Sequence, residues 1–208
     1  MNIPIVYEDD YLVAVDKPAG LLSIATPRNE SRTLVSILNN DLKERGIAYR
    51  LHPCHRLDRE TSGLMVFAKG KSIQKALMEE FRQRKVKKTY ALFVQGKVLN
   101  DSGEIKFPIE GKMALTRYRV VSRKAKFSII EAEPLTGRTN QIRIHFKYIG
   151  HPVVGDSRFA FRKDFVLKSK RLCLHAQKLE FIHPQSHNKI SLKAELPLYL
   201  RDFIETNG

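Results

Sequence analysis

The feature that most constrains the fold of this chain is its rhythm of short β-rich runs, at residues 5–7, 11–15, 64–68, 89–95, 116–121, 127–133, 178–182 and 189–194. Turn-forming residues separate several of them, as in Glu8-Asp9-Asp10, Asp101-Ser102-Gly103 and Pro184-Gln185-Ser186. That punctuation predicts antiparallel neighbours. Helical spacing is rarer. It fits residues 33–45, residues 72–81 with Ile73, Leu77 and Phe81 on one face, and residues 139–149 with Ile142, Phe146 and Ile149 on one face and Gly150 at the end. Residues 198–204 add a short helix. Strands and helices do not alternate one for one, so a βαβ series is excluded. The expected class is α+β: a mixed, largely antiparallel central sheet flanked by a few helices. Without a Ser-, Gly- or Pro-rich linker or a repeat at solenoid period, residues 1–208 read as a single domain.

Charge narrows the partners. The 37 Lys and Arg against 22 Asp and Glu leave a formal charge of +15, too large an excess to neutralise internally. Much of it faces solvent and attracts polyanions, nucleic acid before anionic membrane. Composition does not choose RNA over DNA. The start, Met1-Asn2-Ile3-Pro4-Ile5, has no basic region followed by an apolar stretch, and the longest internal apolar run is 64–68. The expectation is neither signal peptide nor membrane span. Cys54 and Cys173 are too few and too far apart for a disulfide framework, which points to a reducing, cytoplasmic setting.

The richest segment is His55-Arg56-Leu57-Asp58-Arg59-Glu60-Thr61-Ser62-Gly63-Leu64-Met65-Val66-Phe67-Ala68-Lys69. It sets a carboxylate between two arginines, just before a Thr-Ser-Gly turn that feeds an apolar strand. Neighbouring guanidiniums favour the ionised carboxylate, which suits a nucleophile or base rather than a general acid. Local spacing also fits an ordinary surface salt bridge.

This segment closely resembles the signature of the RluA-type pseudouridine synthases, and other segments fall where that family places them. Upstream is Asp16-Lys17-Pro18-Ala19-Gly20-Leu21-Leu22; downstream are Lys88-Thr89-Tyr90-Ala91-Leu92 and Leu135-Thr136-Gly137-Arg138-Thr139-Asn140-Gln141-Ile142-Arg143-Ile144-His145. Leu174-His175-Ala176 and Phe181-Ile182-His183-Pro184 resemble the closing strands. Matches in the right order are far more specific than any one alone. The resemblance implies a pseudouridine synthase domain that isomerises uridines in structured RNA, with the base flipped into a closed pocket. It implies that Asp58 is the catalytic aspartate, that Tyr90 stacks on the target base, that Arg143 pairs with the aspartate, and that Arg56 enters the RNA as the base leaves. The family's usual histidine is replaced by Asn140, to which no catalytic role is assigned. The first family motif begins by Asp16, so the chain resembles compact members without the additional N-terminal RNA-binding domain, acting as a monomer on tRNA, large-subunit rRNA or both.

The isomerisation breaks the bond from ribose carbon 1′ to uracil nitrogen 1, turns the base, rejoins it through carbon 5 and removes the carbon 5 proton. An ionised aspartate can attack carbon 1′, attack carbon 6 or take a proton from carbon 2′, and the residues leave these routes open. Every bond lies within one nucleotide, so no cofactor and no metal is expected. The chain has no Gly-x-Gly-x-x-Gly, and Gly70-Lys71-Ser72 mimics a phosphate loop but has Met65 where the first glycine belongs. Ser72 reads instead as a helix N-cap. His52, Cys54, His55, Cys173 and His175 offer metal-binding atoms at spacing that fits no zinc motif. On pattern alone Tyr90 alternates with Leu92 and Val94 like a core aromatic, and Arg143 is a helical cation that would ordinarily face water. Finally, Arg82, Arg84, Lys85, Lys87 and Lys88 crowd the approach to Tyr90, as either a solvated face or a track for RNA phosphates.

Overall fold

The computed structural model describes residues 3–27, 30–160 and 167–208. In chain order the elements are β1 (Ile5–Glu8), β2 (Leu12–Lys17), α1 (Leu34–Glu44), β3 (His52–Pro53), β4 (Ser62–Ala68), α2 (Lys71–Arg82), β5 (Lys87–Gln95), β6 (Ser102–Lys106), β7 (Leu115–Arg123), β8 (Phe127–Pro134), α3 (Gln141–Tyr148), β9 (Leu174–Ile182), β10 (Lys189–Lys193) and α4 (Leu198–Asn207). The architecture is α+β, a sheet with few helices. The chain forms two compact units, Met1–Lys87 with Lys178–Ala194, and Lys88–Gln177 with Glu195–Gly208.

In the first unit the strand order is β1, β2, β4 and the later part of β9, with β3 on β4 and β10 on β9. The pairs β1/β2, β2/β4, β3/β4 and β9/β10 are antiparallel. Every residue of β4 is buried, which is why it reads as one apolar run rather than an alternation. Leu64, Val66 and Ala68 face a core of Leu12, Ala14, Leu77 and Phe181, and Ile73 and Phe81 of α2 flank it. The helical spacing 73, 77, 81 is therefore the buried face of α2. Its cap differs from expectation: the helix opens at Lys71 with Gly70 as N-cap, and Ser72 lies inside its first turn. Glycine serves there at little cost because its extended backbone leads directly into the helix. Helix α1 matches its sequence signal at both ends, with Thr33 and Ser36 forming a reciprocal capping box and Arg45 as C-cap.

In the second unit the order runs from the early part of β9 through β5, β8 and β7 to β6. The β5/β8, β6/β7 and β7/β8 pairs are antiparallel. Strand β5 alternates between two cores: Leu92 and Val94 face Ile142 and Phe146 of α3, and Phe93 faces Leu200 and Phe203 of α4. Apolar residues at consecutive positions are thus explained by cover on both faces.

Two expectations are corrected here. Ser102 and Gly103 belong to strand β6, not to a turn joining the runs at 89–95 and 116–121, and β5 pairs with β8. Gly103 lies opposite Tyr118, whose ring would stand 2.9 Å from a Cβ at that position, so the glycine makes room for an aromatic ring. Helix α3 begins at Gln141, later than its spacing suggested, because Asn140 sits in the left-handed region at φ 55° and cannot continue a helix.

Candidate active site

Asp58 lies half-buried in a turn closed by the Thr61 amide donating to its carbonyl at 3.2 Å. Antiparallel pairing of Lys17 with Gly63 and Asp16 with Leu64 brings the segment after β2 beside this turn. Lys17 is fully buried, and its ammonium donates to the carbonyls of Leu21 at 2.8 Å, Pro18 at 3.0 Å and Arg59 at 3.1 Å. The Gly20 amide also donates to the Arg59 carbonyl, at 2.8 Å. On the other side of Asp58, the Ser23 hydroxyl donates to the Leu57 carbonyl at 2.7 Å and accepts from the Leu57 amide at 3.1 Å. Both neighbours of Asp58 are therefore fixed, and Asp58 itself is partly buried. Burial pushes the Lys17 ammonium down to about 8, and the charges of Glu60, Asp58 and Asp16 pull against that shift.

The flanking residues divide. Arg56 is exposed and makes no ion pair among the described residues. Arg59 reaches Glu30 at 3.2 Å. His55 is structural: its Nε2 accepts from the Val66 amide at 3.1 Å and its ring stacks on Phe81 at 4.6 Å.

In the second unit, Arg143 is 5% exposed despite its place on a helix. Its Nε and Nη2 donate to the two oxygens of Asp156 at 2.7 and 2.8 Å, and Nη1 donates to Asn140 Oδ1 at 2.9 Å. The guanidinium also lies over the Phe159 ring at 4.9 Å. Asp156 further accepts the Arg158 and Phe159 amides at 2.9 and 3.0 Å. Burial raises its pKa, but the Arg143 bonds and charge with those two amides outweigh it, holding the carboxyl below the ordinary range. Gly155, at φ 76°, sets Asp156 in place, since a Cβ there would stand 2.0 Å from the Arg171 carbonyl oxygen.

Gln141 completes the loop: its carbonyl accepts from Thr136 Oγ1 and the Arg138 amide, and its amide donates to Leu115 O and Thr116 Oγ1, all at 2.7 to 3.0 Å. Such saturation fixes the segment leading into Asn140 and Arg143. Tyr90 continues the row of Leu92 and Val94 and packs on the same core, but is only partly buried where they are fully so.

The basic run does not form one face. Arg82 ends α2 and pairs with Glu79 at 2.5 Å, Lys85 lies 3.6 Å from Glu80, and Arg84 occupies the left-handed region at φ 60°. Lys87 and Lys88 open β5, Lys87 exposed and Lys88 partly so. Both cysteines are free and buried, and burial pushes each thiol up to about 12, so neither is poised as a nucleophile. Among the described residues no group of three or more His, Cys, Asp or Glu could hold a metal ion.

Sequence reading missed Lys17 as the strap of the Asp58 turn and Asp156 as the partner of Arg143. The first left a trace as part of an ordered motif. The second left only a Gly-Asp pair in a loop.

A buried arginine braced by a carboxylate, and a partly buried aspartate whose backbone is strapped on both sides, sit in a chain whose residues 11–148 match the family model described as RNA pseudouridylate synthase. The chain belongs to that family. Within it, similarity runs to the RluA type: 36% identity over 201 residues to the dual-specificity RNA pseudouridine synthase RluA of Vibrio cholerae, covering 89% of this chain and 79% of that protein. The dual-specificity RNA pseudouridine synthase RluA of Haemophilus influenzae is 34% identical over 209 residues, covering 93% of each. Among solved structures, human RNA pseudouridylate synthase domain containing 1 superposes with a TM-score of 0.77 at 26% identity, over 94% of this chain and 84% of that one. The chain is thus an RNA pseudouridine synthase, an isomerase. No helix among the described residues is long and apolar enough to cross a membrane.

Proposed function

We propose that this enzyme isomerises specific uridines in structured RNA, transfer RNA, large-subunit ribosomal RNA or both, with Asp58 as its catalytic carboxylate and the target base flipped into a closed pocket. The observation that carries the assignment is the strapping of Leu57 and Arg59 by Ser23 and Lys17, which holds the backbone on both sides of Asp58, a residue that is itself only partly buried. A reactive group needs its backbone fixed and its reacting atoms open. The dual specificity named for the RluA relatives supports the breadth of substrate.

In this reading the ionised Asp58 acts on the sugar or base and the glycosidic bond breaks. Tyr90, at the half-open end of its core row, keeps the detached uracil stacked while carbon 5 turns toward carbon 1′. Arg143, held in one orientation by Asp156, keeps Asp58 ionised and aligned. The final step removes the carbon 5 proton. Exposed Arg56 fills the space the base vacates. No electrons leave the nucleotide and no group is transferred to a second molecule, so the reaction balances without cofactor or metal. The enzyme works as a monomer in the cytoplasm, with residues 1–208 as one catalytic domain, and Arg82, Arg84, Lys85, Lys87 and Lys88 contact RNA phosphates.

The test is release of tritium from RNA labelled at uridine carbon 5, carrying a uridine identified by comparing pseudouridine maps of cells with and without the gene. Release in EDTA is the expected result. Release that requires added magnesium or zinc at constant RNA fold overturns the metal-free claim, and no release under either condition overturns the assignment.

A further inference from the structure

Helix α3 opens on an arrangement that local stability alone does not explain. Asn140 occupies its N-cap position, where an asparagine ordinarily takes an extended backbone and accepts from an amide of the first turn. Its backbone is instead left-handed, at φ 55° and ψ 23°, and its side chain makes no capping bond. The left-handed region is disfavoured for any residue with a Cβ, though least so for asparagine and aspartate. One position thus combines a forgone cap with a disfavoured backbone. Such a combination persists where the side chain serves something else.

The Asn140 oxygen goes to Arg143, three residues further on, whose Nη1 donates to it at 2.9 Å in a buried bond. Asp156 meets Nε and Nη2 of the same guanidinium as a fork, at 2.7 and 2.8 Å. Both bonds of the fork lie along one edge of the guanidinium, so the plane can still pivot about that edge. Nη1 lies off it, and a third bond there stops the pivot. Asn140 precedes α3 and Asp156 follows it, so the two contacts grip the arginine from opposite ends of its helix. Gln141 cannot take over from Asn140. Its carbonyl is met by Thr136 Oγ1 and the Arg138 amide, and its amino group by Leu115 O and Thr116 Oγ1.

We propose that Asn140 is a positioning residue for the isomerisation: its side-chain oxygen stops the Arg143 guanidinium from pivoting on Asp156. The proposal rests on the reading of Arg143 as the group that aligns the catalytic carboxylate, and adds a residue that acts through it. A guanidinium free to pivot still carries its charge and still pairs with Asp156, but spends less time in the one orientation that serves the reaction. The loss is therefore felt in turnover, not in the binding of RNA.

The test separates side chain from backbone. Glycine accepts the left-handed conformation and brings no oxygen, so Asn140→Gly removes the bond and keeps the turn. Aspartate tolerates the same backbone and keeps an acceptor, so Asn140→Asp is the conservative control. Tritium release on RNA carrying the mapped uridine gives kcat and KM, with thermal unfolding followed on the same preparations. Asn140→Gly is expected to lower kcat roughly tenfold with KM within about twofold of wild type, the pattern of an interaction made in the transition state. Asn140→Asp is expected to recover kcat to within about threefold. Where glycine lowers the unfolding temperature, Asn140→Ser gives the same reading, because its oxygen lies one bond nearer the backbone and falls short of Arg143. Full kcat in a stable Asn140→Gly or Asn140→Ser protein, or a loss that aspartate does not recover, overturns the assignment. Arg143→Met combined with Asp156→Ala tells the two readings apart. Full turnover in that protein topples the role of Arg143 and this one with it, whereas turnover lost there and kept in Asn140→Gly topples this one alone.

Discussion

The Asp58 turn and the Arg143 site solve opposite problems. Asp58 is a partly buried residue whose backbone neighbours are tied down, and Arg143 is a buried guanidinium whose side chain itself is tied down. A buried cation costs several kcal/mol unless a carboxylate and hydrogen bonds meet it, which Asp156 and Asn140 do. A partly buried carboxylate carries a smaller penalty. If Asp58 is the catalyst proposed above, stability and reactivity are divided here: loss of a bracing residue at the second site is expected to damage the fold, and loss of the carboxylate at the first to damage the chemistry.

The largest expected effect is on turnover. Asp58→Asn keeps volume and removes charge, and isomerisation is expected to fall on the order of 10³-fold or more, with thermal unfolding close to wild type. Tritium release and unfolding must be measured on the same preparation. A folded variant with near wild-type turnover would refute Asp58 as catalyst and erase the contrast.

Next is Asp156→Ala, which strands the Arg143 guanidinium and should cost about 3–5 kcal/mol of stability in urea unfolding. Replacing the pair together, Arg143→Met with Asp156→Ala, recovers most of that loss. The pair also gives a pH signature. Because the folded carboxyl of Asp156 is held below its unfolded value of about 3.9, its contribution is fully present above that value. The contribution is lost as pH falls through the lower folded value. Wild type should therefore lose more stability than the double variant when titrated from pH 5 toward pH 2. Parallel curves would show that the ion pair adds nothing.

Lys17→Met takes a donor from three carbonyls and should cost about 1–3 kcal/mol, with a roughly tenfold fall in kcat as the Asp58 turn loosens. A stability loss with kcat intact would show that Ser23 and Gly20 hold the turn alone. The smallest effect belongs to the basic run. Arg84→Gln should reduce the salt slope of RNA binding more than Arg82→Gln or Lys85→Gln, because the latter two cations already face Glu79 and Glu80. Equal slopes for all three variants would return the run to a solvated face.

Much of the fold was legible because it follows local rules. Apolar and β-branched runs marked β1, β2, β4, β5, β7, β8 and β10, and helical spacing over residues 33–45 marked α1. Strand β6 was not legible, since Ser102-Gly103 has the composition of a turn and its reason, the Tyr118 ring, belongs to another strand. The start of α3 was misjudged because a helical spacing says nothing of a left-handed backbone at Asn140. At the candidate site, the ordered motifs singled out Asp58, Tyr90 and Arg143 as expectations. Their supports were not legible there. A lysine wholly buried among carbonyls contradicts the usual habit of its type, and Asp156 lies in a loop with no periodicity to tie it to Arg143.

Gly155 carries that last point into heredity. One methyl group added there would collide with the Arg171 carbonyl and displace the adjoining carboxylate that braces Arg143. Any constraint on the arginine therefore extends to this glycine. A lineage could replace this glycine only after the chain near Arg171 had shifted first, so the order in which substitutions arise is constrained as well as their identity.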